Sequence, residues 1–146
     1  MSEQNLDYDF SNEMDEIWAL FFQESTEALD LAEETLLELE KDPTLKEQIA
    51  ALFRAMHTFK GLARTMGLSV IEAVGHRAED LVGLVRDEGV VLTTPMINLL
   101  LTVLDQSRAL LTHVQSNQTD VSENQVEVLI SQLEAMYQAC TSSPPA

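Results

Sequence analysis

The segment Phe53-Arg54-Ala55-Met56-His57-Thr58-Phe59-Lys60-Gly61-Leu62-Ala63-Arg64 concentrates residue types that can do chemistry. His57, Lys60, Gly61 and Arg64 are related by steps of three, four and seven, so on a helix they share one face. Arg54, Lys60 and Arg64 are three of only eight Lys and Arg residues in a chain of net charge −17, so a small basic patch persists in an acidic molecule. Gly61 inside a periodic helix costs about 1 kcal/mol relative to Ala, which implies a use for the missing side chain. His76 and Glu79, three residues apart, form a second pair on one face. A neutral imidazole carries one N–H and one lone pair. A carboxylate accepting from the N–H fixes the tautomer and makes the other nitrogen a better nucleophile.

A helical hairpin brings the two pairs together. Gly67 and Ser69 mark a tight turn; His57 lies ten residues before Gly67 and Glu79 ten after Ser69, so antiparallel helices place them at one level. Lys60 and His76, each seven residues from the same markers, are level as well. The spacing therefore predicts a surface cluster of His57, Lys60, His76 and Glu79 beside the space left by Gly61. Such a set suits nucleophilic attack by His57 on a phosphoryl group: Glu79 orients the ring, Lys60 balances charge on the transferring oxygens, and Arg54, Gly61 and Arg64 shape the surroundings. Two other readings use the same face. His57, His76 and Glu79 are types that also bind zinc, although the Lys60 ammonium would repel a cation. The face can equally dock a partner without chemistry. His113 has no comparable companions.

The elements that carry these residues are helical. With 146 residues, aromatics at 5% and five glycines, the composition fits one all-α domain. Apolar residues recur at three- and four-residue steps in five blocks. The first helix is expected from about Asn12 to Lys41, stopped by Asp42-Pro43, burying Ile17, Phe21, Ala28, Ala32, Leu36 and Leu39 beneath an almost wholly carboxylate outer face. Thr44 with Glu47, Ser69 with Glu72, and Ser122 with Gln125 have capping-box spacing and predict starts near Leu45, Val70 and Glu123; Pro95 marks a fourth. The second helix turns Ile49, Leu52, Phe53, Met56, Ala63 and Met66 inward and ends at Gly67; the third buries Val70, Ile71, Val74, Ala78, Leu81 and Val85 and ends at Gly89. The fourth buries Ile97, Leu100, Leu104, Leu111 and Val114. The fifth uses Val126, Leu129, Ile130, Leu133 and Met136. Short connections make this an up-down antiparallel bundle spanning 12–139, with a flexible acidic segment at 1–11 and a linker or tail at 140–146.

The His57 segment, followed by Gly67, resembles the H-x-x-K-G pattern of histidine phosphotransfer (HPt) domains, and within them those that begin chemotaxis histidine kinases. Phe21-Phe22-Gln23-Glu24-Ser25, Leu52 to His57, Gly67-Leu68-Ser69-Val70 and His76-Arg77-Ala78-Glu79-Asp80-Leu81 follow in the family's order, over roughly Asn12 to Val114. The resemblance implies a four-helix core with a fifth helix behind it, phosphorylation of His57, and a hydrogen-bonded set of His57, Lys60, His76 and Glu79. It also implies partners: an ATP-binding histidine kinase domain as donor, and receiver domains of response regulators that take the group onto an aspartate with magnesium. Leu62 departs from the second glycine many of these sequences carry. A free-standing relay protein shares the same pattern.

Other classes fit poorly. A net charge of −17 opposes nucleic-acid binding and a polybasic membrane anchor. A single cysteine, Cys140, leaves no intramolecular disulfide and suits a reducing compartment, so the domain is read as cytoplasmic; it is also expected to be monomeric. The sequence has neither a secretory signal pattern nor a membrane-length apolar run. It has no Gly-rich phosphate loop, so no cofactor is expected in this domain; ATP and magnesium belong to its partners.

Overall fold

The computed structural model describes the backbone of residues 3–142 and the side chains of residues 12–142. Its α-helices are α1 (Glu3–Lys41), α2 (Lys46–Thr65), α3 (Ser69–Asp87), α4 (Thr94–Asn117) and α5 (Glu127–Thr141), with no strand among the described residues. Helix α1 packs on α2 and α4, and α3 packs on α2, α4 and α5, so four helices surround one core and α5 lies against α3. Arg108 of α4 reaches Asp30 and Glu33 of α1 while Gln118, which caps the far end of α4, reaches Asp15; the opposed order makes the two helices antiparallel. The fold is the expected all-α up-down bundle of five helices.

Several details differ from the sequence reading. Helix α1 begins at Glu3 and not near Asn12. No Gly or Pro interrupts residues 3–12, and the acidic residues there favour a helix N-terminus. Met1, Ser2 and Ser143 to Ala146, parts of the expected flexible ends, lie outside the described residues. Ile17 is 47% exposed, and Trp18 takes the inward position. The buried series Trp18, Phe21, Ser25, Ala28, Ala32, Leu36 and Leu39 is one continuous stripe, and Ile17 lies beside it. Nor is the outer face of α1 wholly acidic: Leu20, Leu31 and Leu37 are exposed among the carboxylates. Phe53, Met66, Val70, Ile130 and Met136 pack at the edge of the core and are only partly buried.

Two of the three predicted capping boxes do not form. Thr44 bonds back to Asp42, its hydroxyl and its N–H both donating to Oδ1 at 2.6 and 3.0 Å, which holds the Asp42 carboxyl below its usual pKa. Ser69 lies within α3, whose Val70 N–H, left without a helical partner in the first turn, donates instead to Asp120 Oδ2 at 2.7 Å, from the loop after α4. At the third, Ser122 N–H donates to Gln125 Oε1 at 2.9 Å, and a 3-10 turn over Glu123–Gln125 precedes α5. Thr93 caps α4 by accepting from Met96 N–H at 3.4 Å, just ahead of Pro95.

Candidate functional site

Helices α2 and α3 are joined by Met66, Gly67 and Leu68 alone. Gly67 adopts φ +71°, a left-handed conformation that favours glycine, and the Leu68 N–H returns to the Ala63 carbonyl at 2.9 Å. This closure fixes the register of the hairpin. The close contact further up the hairpin is at Gly75, where a Cβ would lie 3.2 Å from Lys60 Cα and Cβ and 3.3 Å from Phe59 Cδ2. Only a residue without a side chain lets α3 approach α2 so nearly at Lys60. Phe59 beneath it is fully buried, so it anchors the hairpin in the core and contributes nothing to the surface patch.

On this hairpin His57, Lys60 and Glu79 meet. His57 Nδ1 lies 3.0 Å from Glu79 Oε2, and Lys60 Nζ lies 3.1 Å from Oε1 and 3.0 Å from Oε2 of the same carboxylate. Glu79 and Lys60 are largely covered, at 13% and 19% exposure, whereas the imidazole is 64% exposed. A carboxylate held by an ammonium accepts hydrogen bonds and cannot donate, so Nδ1 carries the proton toward Glu79. In the neutral ring Nε2 then holds the lone pair. The expectation from counting out from the turn, that His57 and Glu79 are level, is met at hydrogen-bonding distance.

His76 is a correction. Its Nε2 approaches Asp80 Oδ1 at 3.5 Å, one turn along its own helix, and no hydrogen bond joins it to Glu79, Lys60 or His57 among the described residues. A helical neighbour four residues away is always within reach, and here it captures the ring in place of the carboxylate three away. Among the described residues no three His, Cys, Asp or Glu side chains converge as a bound metal would require.

Of the surrounding residues, Arg54 and Arg64 are exposed and make no ion pair among the described residues, so their charge faces solvent. A Cβ at Gly61 would meet nothing within 4 Å. Packing therefore gives no reason for glycine at this position. A concavity of about 750 Å³ between the start of α3 and α5, lined by Val70, Arg77, Glu127 and Ile130, includes none of the cluster. His57 stands on a helix face, presented outward.

Sequence reasoning missed an aromatic neighbour of the His57 ring and the cation stacked on it. Phe53 lies one turn before His57 with its ring inclined only 13° to the imidazole, and Arg86 of α3 sits over the Phe53 ring at 3.6 Å. Hydrogen bonding to Asp87, followed by the negative charges of Asp87 and Glu79, raises the pKa of Arg86; the same bond holds the Asp87 carboxyl below its usual range. Phe53 and His57 are an i,i+4 pair that helical spacing already brings together, whereas no local pattern signals the contact of Arg86 with Phe53, thirty-three residues away.

Comparison with known proteins agrees with this geometry. Residues 16–110 match the model of the Hpt domain family, which is more than half of the chain. The chain belongs to the Hpt domain family. It is 34% identical over 139 residues to the chemotaxis protein CheA of Klebsiella aerogenes, covering 92% of this chain and 21% of that protein. It is 31% identical over 96 residues to CheA of Listeria monocytogenes, covering 66% of this chain and 16% of that one. The chain thus spans about a sixth to a fifth of the length of these relatives. Among solved structures, it is similar to the phosphorylated P1 domain of CheA3 from R. sphaeroides, determined in complex with CheY6. The TM-score is 0.83 and the identity 41%, covering 87% of this chain and 99% of that one. The solution structure of the histidine phosphotransfer domain of CheA matches with a TM-score of 0.79 and 28% identity, over 91% of this chain and 98% of that one. The chain is a histidine phosphotransfer domain of the CheA type.

Proposed function

We propose that His57 is the phosphoryl acceptor and donor of this domain and that Nε2 is the reacting atom. The observation that carries the reading is the 3.0 Å contact between Nδ1 and the nearly buried Glu79, on a ring otherwise open to solvent. In the first step the Nε2 lone pair attacks the γ-phosphorus of ATP held by a histidine kinase domain. The P–N bond forms as the bond to the β,γ-bridging oxygen breaks, and ADP leaves with that electron pair. The phosphorylated ring is a cation, and Glu79 stabilises it through Nδ1–H. In the second step a receiver aspartate attacks phosphorus, and the P–N electron pair returns to Nε2.

Lys60 orients Glu79 and adds positive charge near the arriving phosphoryl oxygens. Arg54 and Arg64 extend that charge over the approach surface, and Gly61 leaves room for the partner's site. The partners supply ATP and magnesium, so this domain works without a cofactor of its own, as a monomeric module of a chemotaxis-type kinase in the cytoplasm. Among the described residues no helix is long and apolar enough to cross a membrane. His76, paired with Asp80, has no direct part in these steps.

The test is phosphorylation of the purified chain by a CheA-type kinase core and ATP, followed by intact mass. One added phosphoryl group, labile in acid and stable in base, is expected in the wild type and absent from His57→Gln. Retained labelling in that variant sinks the assignment.

A further inference from the structure

The reactive imidazole has a second support that none of the steps above uses. One hydrogen bond, at Nδ1, leaves an exposed ring free to swing about that contact. Phe53 flanks it one turn away on α2, with 6.3 Å between ring centroids and 13° between planes, within the range of an offset aromatic pair. Arg86 from α3 lies with Cζ 3.6 Å from the Phe53 centroid. The guanidinium is itself held: Nε and Nη2 donate to Asp87 at 2.9 and 3.0 Å. The phenyl edge faces α3 at Gly83, where an added Cβ would stand 3.6 Å from Phe53 Cε2. Asp87, Arg86, Phe53 and His57 thus form one chain of contacts across the hairpin. Stacking of a guanidinium on an aromatic face is favourable, and more so where part of the pair is covered from water.

We propose that Arg86 is a positioning residue for phosphoryl transfer: by clamping Phe53 it fixes the plane of the His57 imidazole so that Nε2 faces the incoming phosphorus. This rests on His57 being the acceptor. A ring held in line reacts faster once the partner is bound, while affinity for the partner is unchanged, so the effect belongs in kcat and not in KM. Because Arg86 acts through Phe53, removing both residues costs no more than removing Phe53 alone.

The experiment measures steady-state labelling of His57 by a CheA-type kinase core with ATP, varying the concentration of this chain. It compares wild type, Arg86→Gln, Arg86→Met, Phe53→Leu and the double variant Phe53→Leu/Arg86→Gln, with melting temperatures for each. Arg86 is 39% exposed, and Met keeps its aliphatic stem, so both Arg86 variants are expected to fold. The expected result is a fall in kcat of about three- to tenfold in both Arg86 variants, with KM within about twofold of wild type, and a double variant equal to Phe53→Leu. An unchanged kcat, a change confined to KM, or losses that multiply in the double variant overturns the proposal. Failure of the wild type itself to label strikes instead at His57 as the acceptor.

Discussion

Gly61→Ala separates the demands of folding from those of transfer. In the middle of α2 a glycine costs about 0.8–1 kcal/mol relative to alanine through backbone entropy. The new methyl meets no atom within 4 Å, so no steric term offsets that gain. The variant is therefore expected to be more stable by up to about 1 kcal/mol, which for a chain of this size raises the melting temperature by roughly 2–4 °C. The same methyl lies on the helix face that carries His57, and if that face receives the partner as proposed, labelling by the kinase core is expected to fall by about tenfold or more. Thermal melts followed by circular dichroism give the first quantity, and initial rates of phosphorylation the second. A variant that is less stable than wild type would show that Gly61 has a packing role invisible in the structure. A more stable variant with an unchanged rate would refute the argument that the glycine serves partner approach.

Glu79→Gln keeps the shape of the side chain but removes the charge that holds Lys60 and His57; phosphorylation is expected to drop about 10- to 100-fold with little loss of helicity, as initial-rate assays will show. Gly75→Ala behaves oppositely to Gly61→Ala. The added Cβ, 3.2 Å from Lys60 Cα, pushes α2 from α3 by a few tenths of an ångström, and overpacking of about 1–3 kcal/mol outweighs the helix-propensity gain, so denaturant unfolding should show a net loss. Asp120→Ala removes the carboxylate that accepts from Val70 N–H at 2.7 Å; a cost of about 0.5–2 kcal/mol in urea unfolding is expected, with an unaltered labelling rate.

What the sequence made legible follows from how local each signal is. Two straight helices joined by a three-residue turn convert residue counting into spatial register, and that arithmetic placed Glu79 opposite His57. His76 shows its limit: spacing puts His76 within reach of both Glu79 and Asp80 but does not decide between them. Gly61 and Gly75 look alike in the sequence, each an apparent cost within a helix. Only the structure shows that one glycine faces open space and the other a neighbouring backbone. The Thr44 and Ser69 capping boxes fail because other acceptors compete, a near one at Asp42 and a distant one at Asp120. The stack of Arg86 on Phe53 belongs to the same class, since a contact between separate helices leaves no periodic trace.

The central claim is that Glu79 occupies Nδ1 and leaves Nε2 to carry the phosphoryl group. Its most direct test is nitrogen and phosphorus NMR of the chain labelled with nitrogen-15 at histidine, after phosphorylation by the kinase core. The account predicts coupling of phosphorus to Nε2 of His57, with Nδ1 still protonated. Phosphorus coupled to Nδ1, or found on His76 or His113, would contradict it.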